Sequence, residues 1–233
     1  VTSVVDAGGP EAAYALRDRV AAGEVLGPSI KALGPMLTTE LSHPCETFDD
    51  PNACIYVHDN AEATEATEAG LSAGSDGVKL ALADADFTPW PTPRLSLDAL
   101  KGAVNVANLA GGLSYAHIDE EIDALDALDA HVGHLAHPIF ATLASPAANA
   151  RIATEAVAVH STVSAFVGPL DVLDGDLDVS QLAAAPSEAI DEWAELSAHP
   201  EWFDAAWLIG SESWTEAARL NLEALHDAGA TVL

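Results

Sequence analysis

The chain has 233 residues, 49% of them hydrophobic, and carries 37 acidic against 8 basic side chains for a net charge of −29. That length can bury one sizeable core, and no run approaches the roughly 18 consecutive apolar residues of a membrane span. Such a charge repels phosphate backbones and anionic lipid, which excludes nucleic acid and membranes as main partners and leaves a small-molecule substrate as the natural one.

The acids are spread over helix-like segments such as EATEATEAG and DEEIDALDALDA, and lysine is scarce. Dispersed acid of this kind suits a halophilic, salt-saturated cytoplasm in which screening relieves self-repulsion; a merely acidic mesophilic protein is the other reading. With no basic-then-apolar leader, a cytoplasmic location is expected.

Strand-like and helix-like segments alternate along the chain. VTSVVDAG reads as a strand and residues 10–23 as a helix; PSIKALGPML reads as one strand, followed by a loop holding Cys45 and Cys54. His43 and His58 flank those cysteines, so a structural zinc site, a disulfide and two unlinked thiols are all open, the thiols being the default. A helix over about 60–73 precedes the strand DGVKLAL, and Ser96 is an N-cap for the helix LSLDALKGAVNVANLAG. GLSYAHI is a strand, DEEIDALDALDAH a helix and GHLAHPI a strand; a helix near 145–158 leads into AVHSTVSAF. An acidic stretch follows over about 170–210, and SWTEAARLNLEALHDAG forms a last helix ending at Gly229 before ATVL. Six or seven βα units in series, with no hairpin turns, predict a parallel α/β fold.

Two such folds compete. A doubly wound sheet calls for a full glycine-rich phosphate turn, which VDAGGPEA lacks. A (β/α)8 barrel gathers its functional residues at the C-terminal ends of several strands, and that is the pattern here. Period-two alternation puts Leu113, Tyr115 and His117 on one face, and Leu135 with His137 on one face of the next strand, so that His134 points outward. His117 and His137 are 20 residues apart, about one strand–helix–strand repeat. They therefore sit at one level of strands about 4.8 Å apart, where two imidazoles can hold one metal ion. Lys79 lies mid-strand among Val78, Leu80 and Leu82. It either snorkels or pairs with an acid, or serves as a site amine made easier to deprotonate by burial. His131 and His134 read as structural, His160 as a satisfied barrel residue, and His226 as surface. Trp193, Trp202, Trp207 and Trp214 read as packing of the acidic stretch rather than a substrate lid.

The segments VVDAGGP, ALRDRVAAGEVLGPSIKALGPMLT, HP, GSDGVKL, AH with a second histidine 20 residues on, and NLEALHDAGATVL together resemble the metal-dependent amidohydrolase superfamily. The branch is the imidazolonepropionase-like and prolidase-like one, and the resemblance covers nearly the whole chain apart from the acidic stretch. It implies a (β/α)8 TIM barrel holding one or two divalent metals, commonly Zn2+. Carried over, Lys79 matches a strand-4 lysine carboxylated by CO2, while His117 and His137 match the histidines ending strands 5 and 6. His43 matches a loop histidine near the substrate mouth, and Tyr115 is assigned with it to substrate binding.

The family's strand-1 HxH pair does not occur in these residues, and its strand-8 aspartate, the general base, is expected beyond Leu233. Residues 1–233 are thus expected to form a partial barrel domain running from strand 2 to the start of strand 8, with an acidic insertion at about 170–210. The parent protein is expected to hydrolyse carbon–nitrogen bonds other than peptide bonds, as a cyclic amide hydrolase, or to be a dipeptidase, the chain itself being an incomplete and inactive piece. Lactone or phosphotriester hydrolysis on the same scaffold, and a non-catalytic barrel, are the rival readings. An open strand edge also predicts poor solution behaviour and allows a homo-oligomer.

Overall fold

The computed structural model describes residues 2–45, 50, 52–83, 92–164, 167–168, 170–171, 187–202 and 205–233. The first unit is β1 (Ser3–Asp6) and α1 (Ala12–Ala21). The expected strand PSIKALGPML is two strands, β2 (Ser29–Ala32) and β3 (Met36–Thr38). Gly34 breaks it at φ 73°, a left-handed conformation that suits glycine, and a Cβ there would overlap the Tyr14 hydroxyl. A short strand inside the expected cysteine loop, β4 (Cys54–Tyr56), then pairs with β3.

The central units follow the sequence pattern closely. Helix α2 (Asn60–Ala73) is capped by Asp59, whose carboxylate accepts from Glu62 N at 2.9 Å, and closes at Gly74 with φ 110°. Next come β5 (Gly77–Ala81) and α3 (Leu97–Leu109), with Ser96 Oγ accepting from Ala99 N as its cap. They are followed by β6 (Leu113–His117), α4 (Glu121–Asp129), β7 (His134–Leu135), α5 (Pro146–Thr154) and β8 (Ala158–Val159). Helix α6 (Ser187–Ala198) lies in the acidic stretch. Helix α7 (Ala205–Asp227) begins eight residues before the expected SWTEAARL start, and β9 (Thr231–Val232) ends the order.

All strand pairs are parallel, and the larger sheet runs β4-β3-β5-β6-β7-β8-β9. From β3 through β9 each βα unit adds its strand on the same side, with β4 set on the outer edge. A doubly wound sheet would reverse direction at a switch point, so the winding is that of a barrel. The β1–β2 pair joins this arc where Asp76 N, just before β5, donates to Ala32 O at 2.9 Å. The Asp76 carboxylate ties the same corner, accepting from Arg17 (2.8 Å), Lys31 (2.7 Å) and Ala32 N (3.0 Å). The result is an α/β, incomplete (β/α)8 barrel, with β4 and β9 as the edges of the larger sheet among the described residues.

Strand register divides the sheet into two faces. Leu37, Leu80, Ala116, Leu135, Val159 and Val232 form one cross-strand row, packed in the main core cluster with the helices. The opposite face carries Lys79, Tyr115 and His134 at one level, and Ala81 and His117 two residues further along. One side of each strand supplies apolar burial against the helices, and the other supplies titratable groups to the barrel interior.

Candidate metal centre

His117 ends β6 on the interior face, as parity predicted. His137 also reaches the interior, but not by strand parity. Strand β7 ends at Leu135 and the chain bends at Ala136 and His137. The bend brings His137 to the side that its alternation would have denied it. The same register places His134 inward rather than outward: its ring stacks on Tyr115 with centroids 4.3 Å apart and planes 2° apart. His134 Nδ1 also lies 3.3 Å from His160 Nε2. His160 is thus a partnered barrel residue, in line with its sequence reading, and His134 belongs to the interior layer that reading denied it.

The two candidate ligands meet. His137 Nε2 stands 2.8 Å from His117 Nδ1, with the rings edge to face at 4.5 Å. At the far side of His117, its buried Nε2 makes no hydrogen bond and lies 3.3 Å from Asp119 Oδ1. At the far side of His137, Nδ1 lies 3.2 Å from Pro138 O. His117, Asp119 and His137 each place one ligand atom within 4.8 Å of the others.

Electrostatics keeps both imidazoles neutral. Burial pushes the His117 pKa well below 6.5, with the Lys79 charge adding to it; burial does the same for His137, helped by His117 and then Lys79. Neutral imidazole is the form that binds metals. Lys79 is 5% exposed and makes no ion pair among the described residues, and burial lowers its pKa to about 8. Gly8, in the turn after β1, lies over its aliphatic stem.

His43 sits at the rim, its ring centroid 5.6 Å from that of His117, with its backbone N donating to Thr92 Oγ1 at 3.1 Å. Tyr115 is buried one level below His117, which raises its phenol pKa. The structure therefore gathers His117, His137 and His43 at one end of the strands, with Lys79 and Tyr115 one layer below.

The cysteines are joined as a Cys45–Cys54 disulfide, so neither the default of two free thiols nor a zinc site using them holds. His58 is instead paired with Glu62 at 2.8 Å. Among the tryptophans, Trp214 packs against Phe140 (6.0 Å), whose ring meets His137 at 5.3 Å, while Trp202 stacks on His199 (4.3 Å). Trp193 is partly buried on α6; the Trp207 side chain lies outside the described residues.

Sequence reasoning missed two residues. Asp119 follows His117 by two positions, and that HxD spacing was the available signal. Asn221, on α7, is 2% exposed and grips the segment after His137. Its Nδ2 donates to Ile139 O (2.8 Å) and Thr142 O (2.9 Å), and its Oδ1 accepts from Ala144 N (2.9 Å).

The histidine pair fits a metal on the chemistry of its donors. Protons on the two outer nitrogens, His117 Nε2 near the Asp119 carboxylate and His137 Nδ1 near the Pro138 carbonyl, would leave both inner nitrogens bare and facing each other. In that state a cation fits between the two lone pairs, whereas a proton on either inner nitrogen makes the 2.8 Å contact a hydrogen bond whose direction follows the tautomer. Two nitrogens on a tetrahedral zinc stand about 3.3 Å apart, so an opening of about half an ångström admits the ion.

No family model matches the chain, and no curated protein matches it. Solved structures do. It is similar to a Xaa-Pro dipeptidase with bound methionine in the active site, at TM-score 0.74 and 18% identity over 99% of this chain and 53% of that one. A prolidase complexed with N-methylphosphonate-L-proline aligns at TM-score 0.70 and 20% identity, over 99% and 53%. Bottromycin amidohydrolase aligns at TM-score 0.65 and 18% identity, over 100% and 52%. The chain shares the fold of these structures and spans about half their length. Among the described residues no helix is long and apolar enough to cross a membrane.

Proposed function

We propose that this chain supplies the metal-holding half of a hydrolase that cleaves carbon–nitrogen bonds of the amide kind in a small molecule. The observation that carries the reading is the convergence of two neutral imidazoles through their inner nitrogens at 2.8 Å, in the fold of proteins named prolidase, Xaa-Pro dipeptidase and amidohydrolase. Those names widen the expected bond class to include peptide-like bonds.

His117 and His137 would hold one divalent ion, and an all-nitrogen and oxygen donor set suits Zn2+. When bound, the metal supplies an acidified water and polarises the scissile carbonyl. Lys79 would complete the donor set as a carbamate. Burial keeps much of its amine neutral near pH 8, and that lone pair adds to CO2 with release of one proton. The product trades a buried cation for an anion beside a metal, which removes the electrostatic penalty of the ammonium. Tyr115 and His134 pack beneath this layer and fix its floor. His43, at the rim, would contact the substrate as it enters.

The test is a hydrolysis panel on the protein that carries this chain: Xaa-Pro dipeptides, N-acyl amino acids, cyclic amides and lactones, each with and without chelator. Hydrolysis of the amide members that is lost with chelation and with His117→Ala/His137→Ala is expected. Activity untouched by both, or confined to lactones, contradicts the proposal.

A further inference from the structure

We propose that Asp119 is a positioning residue that holds the His117 proton on Nε2 and thereby turns a bare Nδ1 toward His137. The inference rests on the metal-site reading above and says how this chain prepares that site.

The local fold aims the carboxylate. Ile118 points into the core and is fully buried, so His117 and Asp119 flank it on the interior side. Asp119 N donates to Asp123 Oδ2 at 2.9 Å, and Glu120 N donates to the same oxygen at 3.1 Å. Asp123 is fixed in turn by Arg94, whose Nε donates to Asp123 Oδ1 at 2.7 Å and whose second nitrogen reaches Asp126 at 2.6 Å. Asp119 O accepts from Phe140 N and Ala141 N, both at 3.2 Å, so the same residue tethers the segment that follows His137. Its carboxylate is almost wholly buried and stands 3.3 Å from His117 Nε2.

Tautomer logic does the rest. With the proton on Nδ1, His117 would donate to His137 Nε2, but its Nε2 lone pair would then face a carboxylate oxygen in a buried site. With the proton on Nε2, the positive end of the N–H dipole lies 3.3 Å from the Asp119 carboxylate, an electrostatic attraction at the present geometry, and Nδ1 is left as an acceptor. A carboxylate behind a histidine sets which nitrogen carries the proton and orients the ring toward a metal. Asp119 is two residues from one ligand and bonded to the segment carrying the other, so it couples ring orientation to the spacing of the pair.

The experiment uses the full chain labelled with 15N-histidine and stripped of metal, and reads the His117 tautomer from long-range 1H–15N correlations near neutral pH. The wild type is expected as Nε2–H. Asp119→Asn, whose Oδ1 still accepts, keeps that tautomer, and Asp119→Ala shifts it toward Nδ1–H. Zn2+ affinity by chelator competition is expected to fall about 10–100-fold in Asp119→Ala and to stay within about threefold in Asp119→Asn. A wild-type His117 protonated on Nδ1 overturns the proposal, as does an Asn variant that loses as much affinity as Ala, which would make Asp119 a direct ligand. Should the Ala variant fail to fold, the wild-type tautomer and the Asn variant decide alone. A wild-type chain that binds no Zn2+ sinks the proposed function, and the tautomer still stands or falls by itself.

Discussion

Replacing Lys79 with Met probes the interior electrostatics without any substrate. Burial lowers the Lys79 pKa from 10.5 to about 8. Each unit is worth about 1.4 kcal/mol, so below pH 8 the charged amine lowers the stability of the metal-free fold by about 3 kcal/mol. The sign follows from proton binding. Between the two pKa values the unfolded chain holds the proton and the folded chain does not, so this group adds stability as pH rises through that window. Below it the penalty is constant, and above it the penalty is gone. Met matches the length of the lysine stem and removes the charge. Urea unfolding of both proteins, metal-free and in CO2-free buffer, gives a stability difference in which other titrating groups cancel. Lys79→Met is expected to be more stable by up to about 3 kcal/mol near pH 7, with the gap closing toward zero by about pH 10.5. A gap independent of pH, or a variant less stable at pH 7, refutes the reasoning.

Other outcomes follow from the same geometry. Asn221→Ala leaves Ile139 O, Thr142 O and Ala144 N without their partner, so it should cost about 2–4 kcal/mol in urea unfolding and weaken Zn2+ binding; unchanged affinity would detach α7 from the site. Because burial holds both histidines well below their ordinary pKa, Zn2+ affinity should change little as pH falls to about 6 and drop only at more acid pH, whereas an onset near 6.5 would mean exposed imidazoles. With a net charge of −29, the melting temperature should climb as KCl rises from about 0.1 M to above 1 M, and a melting temperature insensitive to salt would count against a halophilic surface.

Much of the fold was legible in the sequence because apolar periodicity and caps carried it. Ser96 and Gly229 mark helix ends. Lys79, Tyr115 and His117 were legible for the same reason: they lie on strands long enough for period two to hold. His134 and His137 were not. A two-residue strand followed by a bend has no usable period, and the bend is fixed by contacts from distant elements, Asn221 on α7 and the Asp119 carbonyl. The split between β2 and β3 turns on Gly34 beneath Tyr14, a tertiary contact with no local mark. The Cys45–Cys54 link was one of three options open on spacing, with free thiols as the default. Asp119 had a signal, two residues past His117, but its meaning depends on where His117 Nε2 points.

The central claim is that the inner nitrogens of His117 and His137 share one ion. Crystals of the chain soaked in Zn2+ and measured on both sides of the zinc absorption edge test it directly. The account predicts a single anomalous peak between His117 Nδ1 and His137 Nε2, about 2.0–2.1 Å from each. Zinc found only elsewhere, or the pair still in contact at 2.8 Å in crystals whose solution contains the metal, would contradict it.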